Sequence, residues 1–204
     1  MNADRVNCWL TQWPIVFLGR PQTCGIIKRM RPPVIALAAS MVLSTASFGN
    51  LASPEVEAFW LSCQSKLETL PEDGFYRIRY FGTDAAVAKL LADLIRRGEK
   101  TVTFTTPWIY AHNRNATPVV SGYTIVTDFA GTPELILRTT GVKTMRFDEI
   151  SERESQFEGP GARPLDAWQR IHWDYFSQVL APIGKAPADE MPVTVEYFEV
   201  VCAA

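Results

Sequence analysis

The sequence predicts an α+β domain over residues 53–204, with a mixed, barrel-like sheet under helical cover. Three observations point to it. Strand and helix patterns interleave along the chain, the final strand arrives only after a long helix, and 47% of the residues are hydrophobic, enough for one real core. That order favours a mixed sheet over a doubly wound one. Residues 1–52 precede the domain as a mostly non-globular leader.

Taken in order, Ser53-Pro54-Glu55 places an N-cap, a first-turn proline and an acid before Val56, Phe59, Trp60, Cys63 and Leu67, which recur at helical spacing. A turn at Pro71–Gly74 leads to Phe75–Phe81, where Tyr76, Ile78 and Tyr80 alternate with Arg77 and Arg79 as in a strand. Thr83 or Asp84 caps a second helix, Ala85–Arg97, whose inner face reads Val87, Leu90, Leu91, Leu94 and Ile95 and whose stop is Gly98. Lys100–Thr105 is β-branched and reads as a strand, and Pro107–Pro118 reads as a polar loop. Tyr123–Phe129, a Gly131-Thr132-Pro133 turn and Glu134–Arg146 form a long hairpin. A short helix over Asp148–Phe157, a longer one over Pro164–Leu180 and a closing strand over Val193–Val201 complete the domain.

The leader carries its own signal. Lys28–Arg31 is basic, Val34–Leu43 is apolar, and small residues stand before a cut after Ala46, so residues 30–46 resemble a secretory signal. This predicts export to the periplasm, the alternative being a cytoplasmic protein with an N-terminal helix. Met30 is the more typical start for such a signal, which leaves 1–29 as a mis-annotated extension. The apolar run is shorter than the roughly 20 residues a bilayer span needs, so no membrane anchor is expected.

Charge and cysteine content narrow the function. Residues 53–204 hold 15 basic and 21 acidic side chains, a balance of −6. Gripping a long polyanion needs a basic face, so extended DNA is disfavoured as a partner, while a local basic cleft remains compatible with a nucleotide or a short RNA end. If the leader is removed, Cys63 and Cys202 remain. They form a disulfide in an oxidising compartment, but two unpaired thiols with Cys63 buried is the ordinary expectation. Neither the cysteines nor the two histidines, His112 and His172, have metal-site spacing, so no metal or other cofactor is expected.

Three constellations could carry chemistry. In Gly98-Glu99-Lys100-Thr101-Val102-Thr103, Thr101 and Thr103 share a strand face and Lys100 swings over their edge, setting an amine beside a hydroxyl. Phe157–Leu165, with Glu158, Gly159, Pro160, Gly161 and Arg163, describes a rigid loop able to cradle an anion, or simply a connection between helices. Trp168 and His172 share a helix face, which with Leu165 and Phe176 also describes a core stripe. The chain contains no Walker or dinucleotide glycine loop, nucleophile elbow or His-Glu-x-x-His motif.

In this order, Gly98-x-Lys100-Thr101-x-Thr103, the hairpin with Gly122 and Gly131-x-Pro133, Thr139-Thr140-x-Val142, Phe147–Ile150, Glu158-Gly-x-Gly161, Trp168-x-x-x-His172 and Met191–Phe198 resemble the ASCH domain family. The resemblance implies a PUA-like β-barrel with helices closing a cleft that binds RNA or a modified nucleoside. It also implies an alternative, because small members are amidohydrolases that deacylate N4-acetylcytidine and others resemble ribonucleases. By motif, Lys100 is then the amine that draws a proton from Thr103, Thr103 the nucleophile, and Glu158 the acid that positions substrate or shuttles protons. Trp108 or Tyr110 would stack on a base and Arg163 would meet a phosphate or carbonyl, with Thr101, Gly159, Gly161, Trp168 and His172 lining the cleft. A third reading, favoured by the acidic balance and the altered loop rather than by the resemblance, is an exported protein whose cleft takes another small ligand. The loop departs from the family pattern, because Pro160 and Ala162 stand where further acids are usual and Tyr123 replaces the acid after Gly122.

Overall fold

The computed structural model describes residues 52–71 and 75–204. The expected signal segment and the extension before it lie outside the described residues. Helix α1, Pro54–Cys63, starts where Ser53 Oγ accepts a hydrogen bond from the Val56 N–H (3.3 Å) and buries Val56, Trp60 and Cys63. Strand β1 is Tyr76–Arg79, and helix α2, Ala85–Arg96, is capped by Asp84, whose Oδ1 accepts from the Val87 N–H at 2.9 Å. The most buried residues of α2 are Ala88, Ala92 and Ile95; of the expected inner face Ile95 is buried, Val87, Leu91 and Leu94 are half-buried, and Leu90 is 55% exposed. Two alanines let the helix lie close to the sheet and push the leucines to its flanks.

Strand β2, Val102–Thr105, runs directly into helix α3, Pro107–Asn113. This corrects the expected polar loop. Thr106 is the N-cap, its hydroxyl accepting from the Trp108 N–H (3.4 Å), and Pro107 takes the first helical position, so Thr-Pro acts here as a helix start. Strands β3, Tyr123–Thr127, and β4, Pro133–Arg146, form the hairpin; its turn is held by Asp128 Oδ1, which accepts from the Ala130 and Thr132 N–H groups. The single helix expected over 148–157 is instead a 3-10 turn at Phe147–Glu149 and a short helix α4, Glu152–Ser155, because Ile150 is extended and Ser151 begins a new capping box with Glu154. Helix α5, Leu165–Leu180, and strand β5, Pro192–Ala203, close the fold.

The five strands lie in the order β1-β3-β4-β5-β2, with β1 parallel to β3 and every other pairing antiparallel. The sheet is open, and the expected closed barrel is not formed, because β1 and β2 are its two edges and do not pair with one another. It is nevertheless strongly curled. Arg77 on β1 forms an ion pair with Glu196 on β5, three strand spacings away. Across a flat sheet that is ~14 Å, too far for side chains standing perpendicular to it.

Helices cover this curl on separate faces. Tyr76, Tyr123, Ile125 and Ile136 pack with Val56, Trp60 and Cys63 of α1. Val126, Leu135, Leu137, Phe81 and Phe198 pack with Ile95 of α2, and Val102, Phe104, Val193 and Val195 pack with Trp168, Phe176 and Leu180 of α5. Cys63 and Cys202 are joined by a disulfide with Cα atoms 6.0 Å apart, which overturns the expectation of two free thiols: docking α1 on the sheet brings the helix end and the last strand within bonding distance. No helix among the described residues is long and apolar enough to cross a membrane.

Candidate functional site

Lys100 is placed by backbone. Gly98 ends α2 with a positive φ of 69°, a conformation that glycine adopts without strain, and the chain turns back so that the Lys100 N–H donates to the Leu94 carbonyl (3.3 Å). The Thr101 N–H then donates to Phe157 O at 2.9 Å, fastening the start of β2 to the glycine-proline loop. That loop is braced from within. Ser155 Oγ donates to Arg163 O (2.7 Å), and Arg163 donates to the carbonyls of Glu158 (2.8 Å) and Glu99 (2.9 Å).

The result is a buried ion pair. Lys100 Nζ lies 2.5 Å from Glu158 Oε2, and the two residues are 4% and 3% exposed. Glu158 also accepts from the Gly159 N–H (3.2 Å), and its other oxygen faces His172 Nε2 at 3.5 Å. Burial pushes the Glu158 carboxyl up, but the Lys100 charge and the contacts with His172 outweigh it, and the acid is held down at about 2. His172 is fixed by its other nitrogen. Nδ1 donates to the Trp168 carbonyl at 2.9 Å, since a carbonyl oxygen can only accept, and the imidazole stacks on Trp168 with centroids 4.4 Å apart.

Thr103, three residues after Lys100, lies on β2. It pairs in register with Glu196 of β5, so the two side chains leave the same face. The residue is buried, and no hydrogen bond from a described residue reaches its hydroxyl. Glu196 is engaged twice at Oε1, by Thr139 Oγ1 at 2.7 Å and by Arg77.

The remaining residues predicted from sequence divide by placement. Thr101 contributes backbone, accepting from the Phe198 N–H as well as donating to Phe157. Gly159 gives its N–H to the Glu158 carboxylate, so the anion cradled at this point is the protein's own. Gly161 is exposed, and Arg163 is committed to the two carbonyls that shape the loop. Trp168 is 0% exposed between Phe104, Phe147 and His172, with no surface to stack on a ligand. Trp108 is half-buried, and Lys185 Nζ sits 4.3 Å over its ring. Tyr110 is buried beside Arg79. Among the described residues no group of three or more His, Cys, Asp or Glu could hold a metal ion.

Sequence reasoning missed the polar residues of β1 and β5. Arg77, Arg79 and Glu196 sit with Tyr110 of α3 and Tyr175 of α5 in one charged enclosure. The available signals were two arginines on one face of a short strand and an acid at the centre of an otherwise apolar closing strand. A separate depression of about 350 Å³ involves Arg96, Arg97, Thr101 and Glu199 and touches Lys100, but neither Glu158 nor Thr103 lines it. Its arginines are already paired, Arg96 with Asp93 and Glu134 and Arg97 with Glu99.

The sequence model of the ASCH domain matches residues 77–202, spanning β1 to β5 and every residue of this site. The chain belongs to the ASCH domain family. Two solved structures are similar throughout the ASCH domain. One is the ASCH domain from Lactobacillus crispatus JV V101, 27% identical, with a TM-score of 0.65, covering 74% of this chain and 96% of that one. The other is a protein from Enterococcus faecalis V583, 30% identical, with a TM-score of 0.63, covering 72% and 88%. No curated protein sequence matches the chain.

Proposed function

We propose that the ASCH domain binds a modified nucleoside or nucleotide, or a short RNA end, against Lys100, Thr103 and Glu158. The observation that carries this is the Lys100–Glu158 pair, 2.5 Å long and buried, with Thr103 three residues along the chain from Lys100 holding a hydroxyl that no described residue satisfies. A buried charge pair offers a donor and an acceptor within one contact, and an unmatched hydroxyl adds a group of either kind. Base edges present this mixture of donors and acceptors. The −6 balance of residues 53–204 favours a small ligand over a long polyanion.

Hydrolysis of an acylated nucleoside or of RNA is the second reading, favoured by the same pair. For Thr103 to attack an acyl carbon its proton must go to Lys100, which must first release one of its own. The nearest acceptor, Glu158, is held at about 2 and opposes taking it. The resting pair therefore suits binding first, and catalysis requires substrate to loosen it. Incubating the full chain with short RNAs and N4-acylated cytidines, wild type beside Lys100→Ala, separates the readings. Binding without turnover, weakened at least tenfold by the substitution, is the expected result; turnover lost in Lys100→Ala would put hydrolysis first, and absence of binding to any of these would remove both.

Export through the leader is proposed as well, supported by the Cys63–Cys202 disulfide, a bond that persists in oxidising compartments. N-terminal sequencing of protein from its native source tests it: a mature chain beginning near residue 47 is expected, and a first residue upstream of Val34 would refute export.

A further inference from the structure

Strand β1 carries two arginines, and only one of them forms an ion pair at contact distance. Arg77 and Arg79 are two residues apart on one strand and leave the same face. Arg77 is tied to Glu196, whose bonded oxygen also accepts from Thr139. Arg79 is half-buried, with its Cζ 4.5 Å from the centre of the Phe81 ring, and no carboxylate among the described residues lies within ion-pair distance of it. Its nearby carboxylate, Glu196, is already engaged by Arg77 and Thr139, so a guanidinium drawn partly out of water here leaves a place for a further anion.

Tyr110 supplies the second observation. It is 7% exposed, and its hydroxyl is sealed from solvent beside the Arg79 guanidinium, with no well-aligned hydrogen bond to a described residue. Buried hydroxyls in this condition are uncommon because they forfeit their water without replacement. Tyr175, half-buried on α5, shares the enclosure with Arg79 and Tyr110. Burial raises both phenols above their ordinary value against the opposing pull of Arg79, so each keeps its proton at neutral pH and stands as a donor.

We propose that Arg79 and the hydroxyls of Tyr110 and Tyr175 form a recognition site for one oxyanion group, a phosphate monoester or a carboxylate, of a small ligand whose remainder lies against Lys100, Thr103 and Glu158. Two adjacencies join the halves. Helix α5 sets His172 against Glu158 and Tyr175 three residues further on, and the β2–β5 register sets Thr103 opposite Glu196. One cation without an ion pair of its own matches one anionic group and offers nothing for a second phosphate. The inference deepens the nucleoside reading above and rests on it only for the uncharged part of the ligand.

Calorimetric titration of the full chain with inorganic phosphate, acetate, cytidine and cytidine 5′-monophosphate tests it, using wild type, Arg79→Gln and Tyr110→Phe, the last keeping the ring and its packing. The monophosphate is expected to bind at least tenfold more tightly than cytidine, a gap that Arg79→Gln abolishes and Tyr110→Phe narrows, with cytidine affinity unchanged in both. Competition by phosphate alone assigns a monoester, and equal competition by acetate assigns a carboxylate. If both nucleosides fail to bind while phosphate or acetate binds in an Arg79-dependent way, the anion site stands and the nucleoside reading falls. Equal affinity for cytidine and its monophosphate, a gap that survives Arg79→Gln, or no binding of any probe would overturn the proposal.

Discussion

Glu158 is where stability and function meet at the scale of one residue. Its folded pKa, about 2, lies below the ordinary 4.5, so the pair contributes stability that is fully present above pH ~5 and is lost as pH falls toward 2. The loss is on the order of 3 kcal/mol. Denaturant titrations at stepped pH are expected to show that decline in wild type and its absence in Glu158→Gln. At neutral pH each single substitution, Lys100→Met or Glu158→Leu, leaves one buried charge unpartnered and should cost about 3–5 kcal/mol, while the double substitution should recover most of it. Urea midpoints decide; additive losses would mean that the two side chains do not act as a pair.

At the scale of an element, the loop between α4 and α5 works as a brace that aims Glu158. Its two glycines are not equivalent. A Cβ on Gly159 would lie 2.7 Å from Leu94 Cδ1 on α2, whereas one on Gly161 would meet nothing within 4 Å. Gly159→Ala is therefore expected to shift the loop away from α2 at a cost of about 1 kcal/mol, modest because a leucine end can give way. Gly161→Ala should be neutral in thermal melts. The same comparison probes function, since displacing residue 159 also moves the N–H that holds the Glu158 carboxylate. Nucleoside binding should fall in the first variant and not in the second, and equal effects would argue against a positioning role for the loop.

Across the whole molecule, the Cys63–Cys202 disulfide links α1 to the last strand over a sequence separation of 139 residues. Closing so long a loop restricts the unfolded chain, and such bonds typically stabilise by about 2–4 kcal/mol. Melting with and without reductant is expected to show a lower Tm for the reduced protein, and Cys63→Ser with Cys202→Ser should match the reduced wild type and no longer respond to reductant. Equal melting temperatures in both conditions would remove the disulfide from the stability of this fold. Because Tyr76 of β1 packs on the α1 face while Arg77 turns to the other, loosening α1 should also disturb the arginine enclosure.

The sequence alone determined the elements and the family, because caps, periodicity and turn chemistry are local: Ser53-Pro54 began α1, Gly98 stopped α2, and Gly131-Thr-Pro marked the hairpin. It also brought Lys100, Thr103 and Glu158 forward as a set, through the order of their motifs. Where local signals were ambiguous it erred, reading Thr106-Pro107 as loop when the same residues cap α3. Only tertiary structure decided what depends on distant strands: that the sheet curls without closing, that Cys63 meets Cys202, that Arg163 is consumed by carbonyls, and that Arg77 and Arg79 share an enclosure with Glu196, Tyr110 and Tyr175. Burial and charge compensation are properties of that folded arrangement, and no short stretch of sequence records them.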